Sequence, residues 1–181
     1  MAILKVARMG HPVLRQVAEP IPPEEITGPE VQTLIRDMLE TMHEYTGIGL
    51  AAPQVHVSKQ LALVGGELDE DEEPIIRVVI NPEITPTTDK VFGMYEGCLS
   101  VPGFRGWVER PAAIRVVHHD MHGERVEREL EGFAAVVMQH ECDHLHGKLY
   151  VDRLKDMRRL AFEDEAERFL PVERMIDERD L

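Results

Sequence analysis

Residues 139–147 read "QHECDHLHG". A helix turns by about 100° per residue, so His140 and His144 stand roughly 40° apart on one helical face, close enough to share a metal ion. Glu141 between them can reach a water held by that ion and act as general base, which is how an H-E-x-x-H site works. The pattern predicts a helix from about Gly132 to His146, stopped by Gly147. Before it come short runs of branched residues with strand character, "QLALVG" (60–65), "IIRVVINP" (75–82) and "AAIRVVHHD" (112–120). The acidic "ELDEDEEP" (67–74) reads as a solvated turn, and "DMHG" (120–123) as a hairpin turn into "ERVEREL" (124–130). From about Gly28, residues Val31, Leu34, Ile35, Met38 and Met42 recur at three- and four-residue steps, predicting a scaffold helix capped at Gly47. Strands bracketed by two helices predict an α+β fold, not a βαβ alternation.

The ends of the chain are simpler. "HPVLRQVAEPIPPEE" (11–25) is broken by prolines and reads as an extended arm followed by a loop. From Asp152 the chain is charge-rich, with Leu160, Phe162 and Phe169 as sparse apolar points; a terminal helix over 152–181 is expected, broken at Pro171. At 181 residues the chain has the length of one domain, 1–181, able to bury a core without staples, so a metal here is expected to be catalytic. The net charge of −14 speaks against nucleic-acid or anionic-membrane binding, which rests on Lys and Arg neutralising phosphates. Two cysteines, Cys98 and Cys142, make no disulfide framework and fit a reducing compartment. "MAILKVARMG" has no signal-peptide pattern and no apolar run is long enough to span a bilayer, so a cytoplasmic protein is expected.

Two imidazoles leave the site one protein ligand short. A third histidine in H-E-x-x-H-x-x-G-x-x-H would fall at position 150, which is Tyr150, although Gly147 is in place. A glutamate on a following helix, such as Glu163, is a second option, but any acidic helix offers one. Cys142 lies about 200° around the helix from His140 and is better read as a small buried hydrophobe. Cys98, in "YEGCLSVPG" (95–103), sits where Gly97, Pro102 and Gly103 suggest irregular backbone at a strand end, and is the best available third donor. A further unusual segment, "GIGLAAPQV" (47–55), crowds small residues where a strand or ligand can approach the backbone, and ends near Gln54.

Taken in order, "GIGLAAPQ", "EGCLS" and "QHECDHL" resemble the three signature motifs of the peptide deformylases, with "HPVLR" and "GKLYVDRL" similar as well. The resemblance runs from about residue 4 to residue 154. It implies antiparallel β-sheets wrapped around the central helix that carries the histidines. It also implies that Cys98, His140 and His144 hold the metal, with the fourth position left to water. Glu141 would be the acid/base, Gln54 and the backbone N–H of Leu99 the oxyanion donors, and Gly49 a backbone partner of the bound peptide. Arg105 falls where the family tends to carry a basic residue beside the substrate. "GFRGWVERP" (103–111) looks closer to the organellar-like branch than to the commonest bacterial form.

The implied reaction is hydrolysis of the N-formyl group from the formylmethionine of nascent peptides, with Fe(II) favoured and Zn(II), Ni(II) or Co(II) able to take the same site. Residues three, four and seven before His140, which are Val137, Val136 and Phe133, share its helix face. With Ile48 they would wall the methionine pocket that the family places beside this helix, although core packing accounts for such residues as well. Some bacterial members end in a basic helix thought to contact the ribosome, whereas "FEDEAER" (162–168) is acidic, so ribosome association stays possible but is not supported by this tail. Two rival readings are a zinc endopeptidase, which lacks its ligand at Tyr150, and a non-catalytic metal-binding protein, which would have no need of Glu141 and Gln54.

Overall fold

The computed structural model describes residues 2–170. Helix α1 (Pro29–Glu44) is followed by strands β1 (Gly49–Ala51), β2 (Leu61–Leu68), β3 (Pro74–Pro86), β4 (Val91–Cys98) and β5 (Val101–Pro111). Then come β6 (Ala113–His119), β7 (Arg125–Glu131), helix α2 (Gly132–Leu145), β8 (Leu160–Phe162) and helix α3 (Glu163–Phe169). The strands form two antiparallel sheets, ordered β1-β2-β3-β6-β7 and β4-β5-β8. This is the expected α+β architecture with a helix near the C-terminus.

Alternation along β2 explains its unbroken apolar run. Successive strand side chains point to opposite faces. Ala62 and Val64 join Val79 against Met138, Cys142 and Leu145 of α2, while Leu61 and Leu63 join Ile80 against Ile35, Met38 and Met42 of α1. The larger sheet is therefore a middle layer with a helix on each face. The other side of α2 meets the β4–β5 hairpin, whose Arg110 reaches Asp143. A helix covered all round carries apolar residues all round, and α2 is buried along nearly its whole length.

Several elements depart from the sequence reading. The first helix stops two residues early: Thr46 takes the left-handed conformation (φ 52°), its N–H bonds to His43 O, and the Gly47 N–H bonds to Met42 O. That is a Schellman ending with threonine in the usual glycine position. At Gly47 the space is tight, since a Cβ there would come within 3.0 Å of Leu99 Cδ1. The second helix ends as expected, with Gly147 left-handed and the Lys148 N–H on Asp143 O. The N-terminal arm includes 3₁₀ turns at Pro12–Arg15 and Pro23–Glu25, each opened by a proline at a position where the missing N–H costs nothing.

The acidic loop is shorter than expected because β2 runs to Leu68 and β3 begins at Pro74. The "DMHG" turn is held by the Asp120 carboxylate, which accepts from the N–H groups of His122 and Glu124. The C-terminal helix starts later than the expected Asp152: residues 150–159 make two 3₁₀ turns, and Leu160–Phe162 forms β8 on the open edge of β5 before the short α3. The physical reason is pairing. Phe162 falls opposite Phe104 and the two rings stack with centroids 4.8 Å apart, a cross-strand contact that a helix would forfeit. Pro171 and the tail beyond it lie outside the described residues.

Candidate active site

Cys98 ends β4 and is separated from its cross-strand partner Val101 by a two-residue turn, Leu99–Ser100, so its side chain stands at a hairpin tip. His140 and His144, one turn apart on α2, face that tip. The three donor atoms lie within 4.8 Å of one another, with Cys98 Sγ 3.3 Å from His144 Nε2. Among the described residues no other group of three or more His, Cys, Asp or Glu converges in this way. Cys142 points into the core between α2 and the larger sheet, where burial pushes its thiol up. Tyr150 is buried and donates its hydroxyl to Phe104 O at 3.2 Å, and Glu163 pairs with Arg105; neither joins the cluster.

The electrostatics suit a metal. Burial opposes a thiolate at Cys98, yet the neighbouring His144 and His140 together hold its thiol well below the usual range. One thiolate and two imidazoles are a borderline-soft donor set of the kind that binds Zn(II) or Fe(II) and leaves a coordination position open. The Nδ1 atom of His140 lies 2.8 Å from Glu96 Oε2, and because a carboxylate only accepts, Nδ1 carries the proton and Nε2 is the nitrogen left free to coordinate a metal. Glu141 Oε2 is buried without a protein partner next to the ligands, as expected of a group that meets water or substrate. Burial pushes its carboxyl up to about 7, with His140 and His144 pulling the other way.

The first motif packs directly onto this carboxylate. A Cβ at position 49 would overlap the Glu141 side chain, so Gly49 leaves the room that this carboxylate occupies. Gln54 is buried, and its Oε1 accepts from the Ala51 N–H at 2.8 Å. This orients the amide so that Nε2 donates toward Ser100 Oγ (3.2 Å) and Cys98 Sγ (3.6 Å). The N-terminal arm ties the two loops in register, with the Ala7 N–H on Gln54 O and the Met9 N–H on Ser100 O, both at 2.7 Å.

A cleft of about 1080 Å³ opens over these groups. Ile48, Gly49, Gln54, Leu99 and Arg105 line it, as do Phe133, Val136, Val137, His140 and Glu141 from α2. Ile48 and Phe133 are exposed, whereas Val136 and Val137 are buried, and Val137 also belongs to the core beneath. The helix face read from spacing thus serves the cleft and the packing together.

Sequence reasoning missed the charges beneath the site. Arg110 is 1% exposed and bonds Glu96 through Nε (2.6 Å) and Nη2 (2.9 Å) and Asp143 through Nη1 (2.8 Å). Asp143 also accepts from Arg153. Burial works against ionised Glu96, but Arg110 and His140 hold its carboxyl down at about 2. The signals were present as Glu96 inside "EGCLS" and Asp143 inside "HECDH", two acids in segments otherwise headed for the interior. Nothing in the spacing of "GFRGWVERP" marks Arg110 as their partner.

A family model described as polypeptide deformylase matches residues 3–160. A peptide deformylase of Leptospira biflexa is 45% identical over 172 residues, covering 92% of this chain and 96% of that protein. One from Pseudomonas aeruginosa is 48% identical over 160 residues, covering 88% and 91%. Among solved structures, a Met-Ala-Ser-bound class I type b peptide deformylase from Acinetobacter baumannii is similar with a TM-score of 0.79 and 38% identity, covering 84% of this chain and 99% of that one. A peptide deformylase from Thermotoga maritima is similar with a TM-score of 0.76 and 39% identity, covering 86% and 100%.

Proposed function

The chain belongs to the peptide deformylase family and removes the N-formyl group from nascent peptides, and on that premise we propose that Cys98, His140 and His144 hold its catalytic ion. The observation that carries this reading is the convergence of one thiol and two imidazoles beside a buried carboxyl at the floor of a cleft. Fe(II) is the proposed metal, with Zn(II), Ni(II) or Co(II) able to occupy the same donors. When bound, the ion supplies Lewis acidity, lowering the pKa of a coordinated water and drawing charge from the formyl oxygen.

The chain's own residues do the rest. Glu141 accepts the proton of the attacking water and hands it to the leaving nitrogen, so that water and formyl-peptide become formate and a free amine. A carboxyl raised by burial is suited to both halves of that transfer near neutral pH, although the positive charge of an ion acts in the opposite sense. Gln54 Nε2 and the Leu99 N–H donate to the oxygen as it gains charge, and losing one such donor typically costs about 3–4 kcal/mol of barrier. Ile48, Phe133, Val136 and Val137 take the methionine side chain, the Gly49 backbone meets the peptide, and Arg105 stands beside the residues that follow.

We assign the reaction to one domain, 1–181, working in the cytoplasm on formylmethionyl chains. Nucleic acid and membrane are not partners in this reading, which the net charge of −14 supports. No helix among the described residues is long and apolar enough to cross a membrane. The acidic first turn of α3 gives no support for ribosome docking there. The direct test is formate release from a formyl-Met peptide by protein purified anaerobically with Fe(II). Catalytic release is expected, and none from fully loaded protein would overturn the site.

A further inference from the structure

We propose that Glu163 sets the charge preference of the cleft by masking Arg105. The inference rests on the reading that this cleft receives the formyl-peptide. Strand β8 lies on the edge of β5 with Ala161 opposite Arg105, which brings Glu163, two residues on, back to an ion pair with the Arg105 guanidinium. Both side chains line the cleft, and both are more than a third exposed, so they face whatever the cleft holds. The guanidinium lies against the neighbouring strand: a Cβ at Gly97 would overlap it. Gly97 precedes Cys98, so the pair sits next to the metal ligands, within reach of the residues that follow formylmethionine in an extended substrate.

The sign of the effect follows from the lining. Lys5 and Arg8 also border the cleft, and among the described residues neither enters an ion pair. Of these three cleft-lining cations Arg105 lies against Gly97, the neighbour of Cys98, and Glu163 cancels it. The match to the family model ends at residue 160, so the masking carboxylate is supplied by a segment beyond it. Peptides with acidic residues after formylmethionine therefore gain no attraction from Arg105, and peptides with basic residues there meet no repulsion.

The test compares kcat/KM for formyl-Met-Ala-Asp with that for formyl-Met-Ala-Lys. Glu163→Gln uncovers the guanidinium and should raise the Asp/Lys ratio by about tenfold at low salt, the size of one partly screened charge a few ångströms from another. The gain should largely vanish at 1 M salt, where the screening length is about 3 Å. Arg105→Gln leaves the carboxylate unpaired and should move the ratio the opposite way. The double variant should return it to the wild-type value, and Glu163→Asp should hardly move it. An unchanged ratio in Glu163→Gln, or a shift that survives in the double variant, overturns the proposal. If α3 loosens in Glu163→Gln, the opposite-signed shift in Arg105→Gln decides: its presence sustains masking and its absence overturns it. Failure of the underlying cleft assignment shows elsewhere, as an unmoved KM for formyl-Met-Ala-Ser, whose side chains are neutral, in Val136→Phe.

Discussion

Cys98 and Cys142 lie on opposite sides of α2, and the chemistry separates them. Cys98→Ala should lose bound metal while Cys142→Ala keeps it, because only the first thiol faces the histidine pair. Equal metal content in the two variants would exclude the ligand assignment. Glu141 lies beside the proposed metal donors and is not one of them. Glu141→Gln should accordingly bind metal in full and lose turnover by about 10²–10⁴-fold, the usual worth of a general base; a fully active variant would mean that another group moves the proton. The histidine pair and Glu141 between them were legible because short-range geometry encodes them. Four residues of helix fix the His140–His144 relation, whereas the distance from Cys98 to His140 depends on how a hairpin meets a helix 42 positions later, and only motif resemblance carried that. Glu96, Arg110 and Asp143 stayed hidden because a buried ion network has no period.

Helix α2 and strand β5 are joined through Arg110. Breaking a buried pair from one side leaves its partners uncompensated, so Arg110→Leu should cost about 3–5 kcal/mol, read from urea midpoints at pH 7. The pH dependence has a defined sign. Glu96 falls from 4.5 to about 2 on folding, and Asp143 also falls below its value of 3.8, where Arg153 and Arg110 outweigh burial. Depressed carboxyls contribute stability above their unfolded values, and that contribution is lost as pH falls toward the folded ones. The gap between wild type and Arg110→Leu should thus be full above about pH 5 and narrow toward pH 2; a gap independent of pH would contradict the network. At this scale α1 was readable from periodicity, α2 from its motif and glycine stop, and β2, β3, β6 and β7 from branched runs and a turn. Strands β4 and β5 were not, because Gly93, Gly97, Gly103 and Gly106 interrupt their alternation, two of them where Trp107 and Arg105 lie against the backbone. The C-terminal helix begins later than expected because strand pairing of Leu160–Phe162 requires an open edge on β5, which the tail's own sequence cannot announce.

Over the whole molecule, α2 stands between two sheets that share no strand. One holds Cys98, and the helix packed on the other holds both histidines. An ion bound by all three is therefore a rivet as well as a reagent. Binding only to the folded form, it should add roughly 2.7 kcal/mol of stability at a hundredfold excess over Kd. Stripping it with a chelator should lower the melting temperature, and hydrogen exchange should quicken first at the β4–β5 hairpin and last in β2 and β3. Uniform loosening would mean that the sheets are held together without the ion. Oxidation or chelation at the cleft would then do more than stop turnover: it would mark the protein for proteolysis at the hairpin, coupling the enzyme's lifetime in the cell to the supply of its metal.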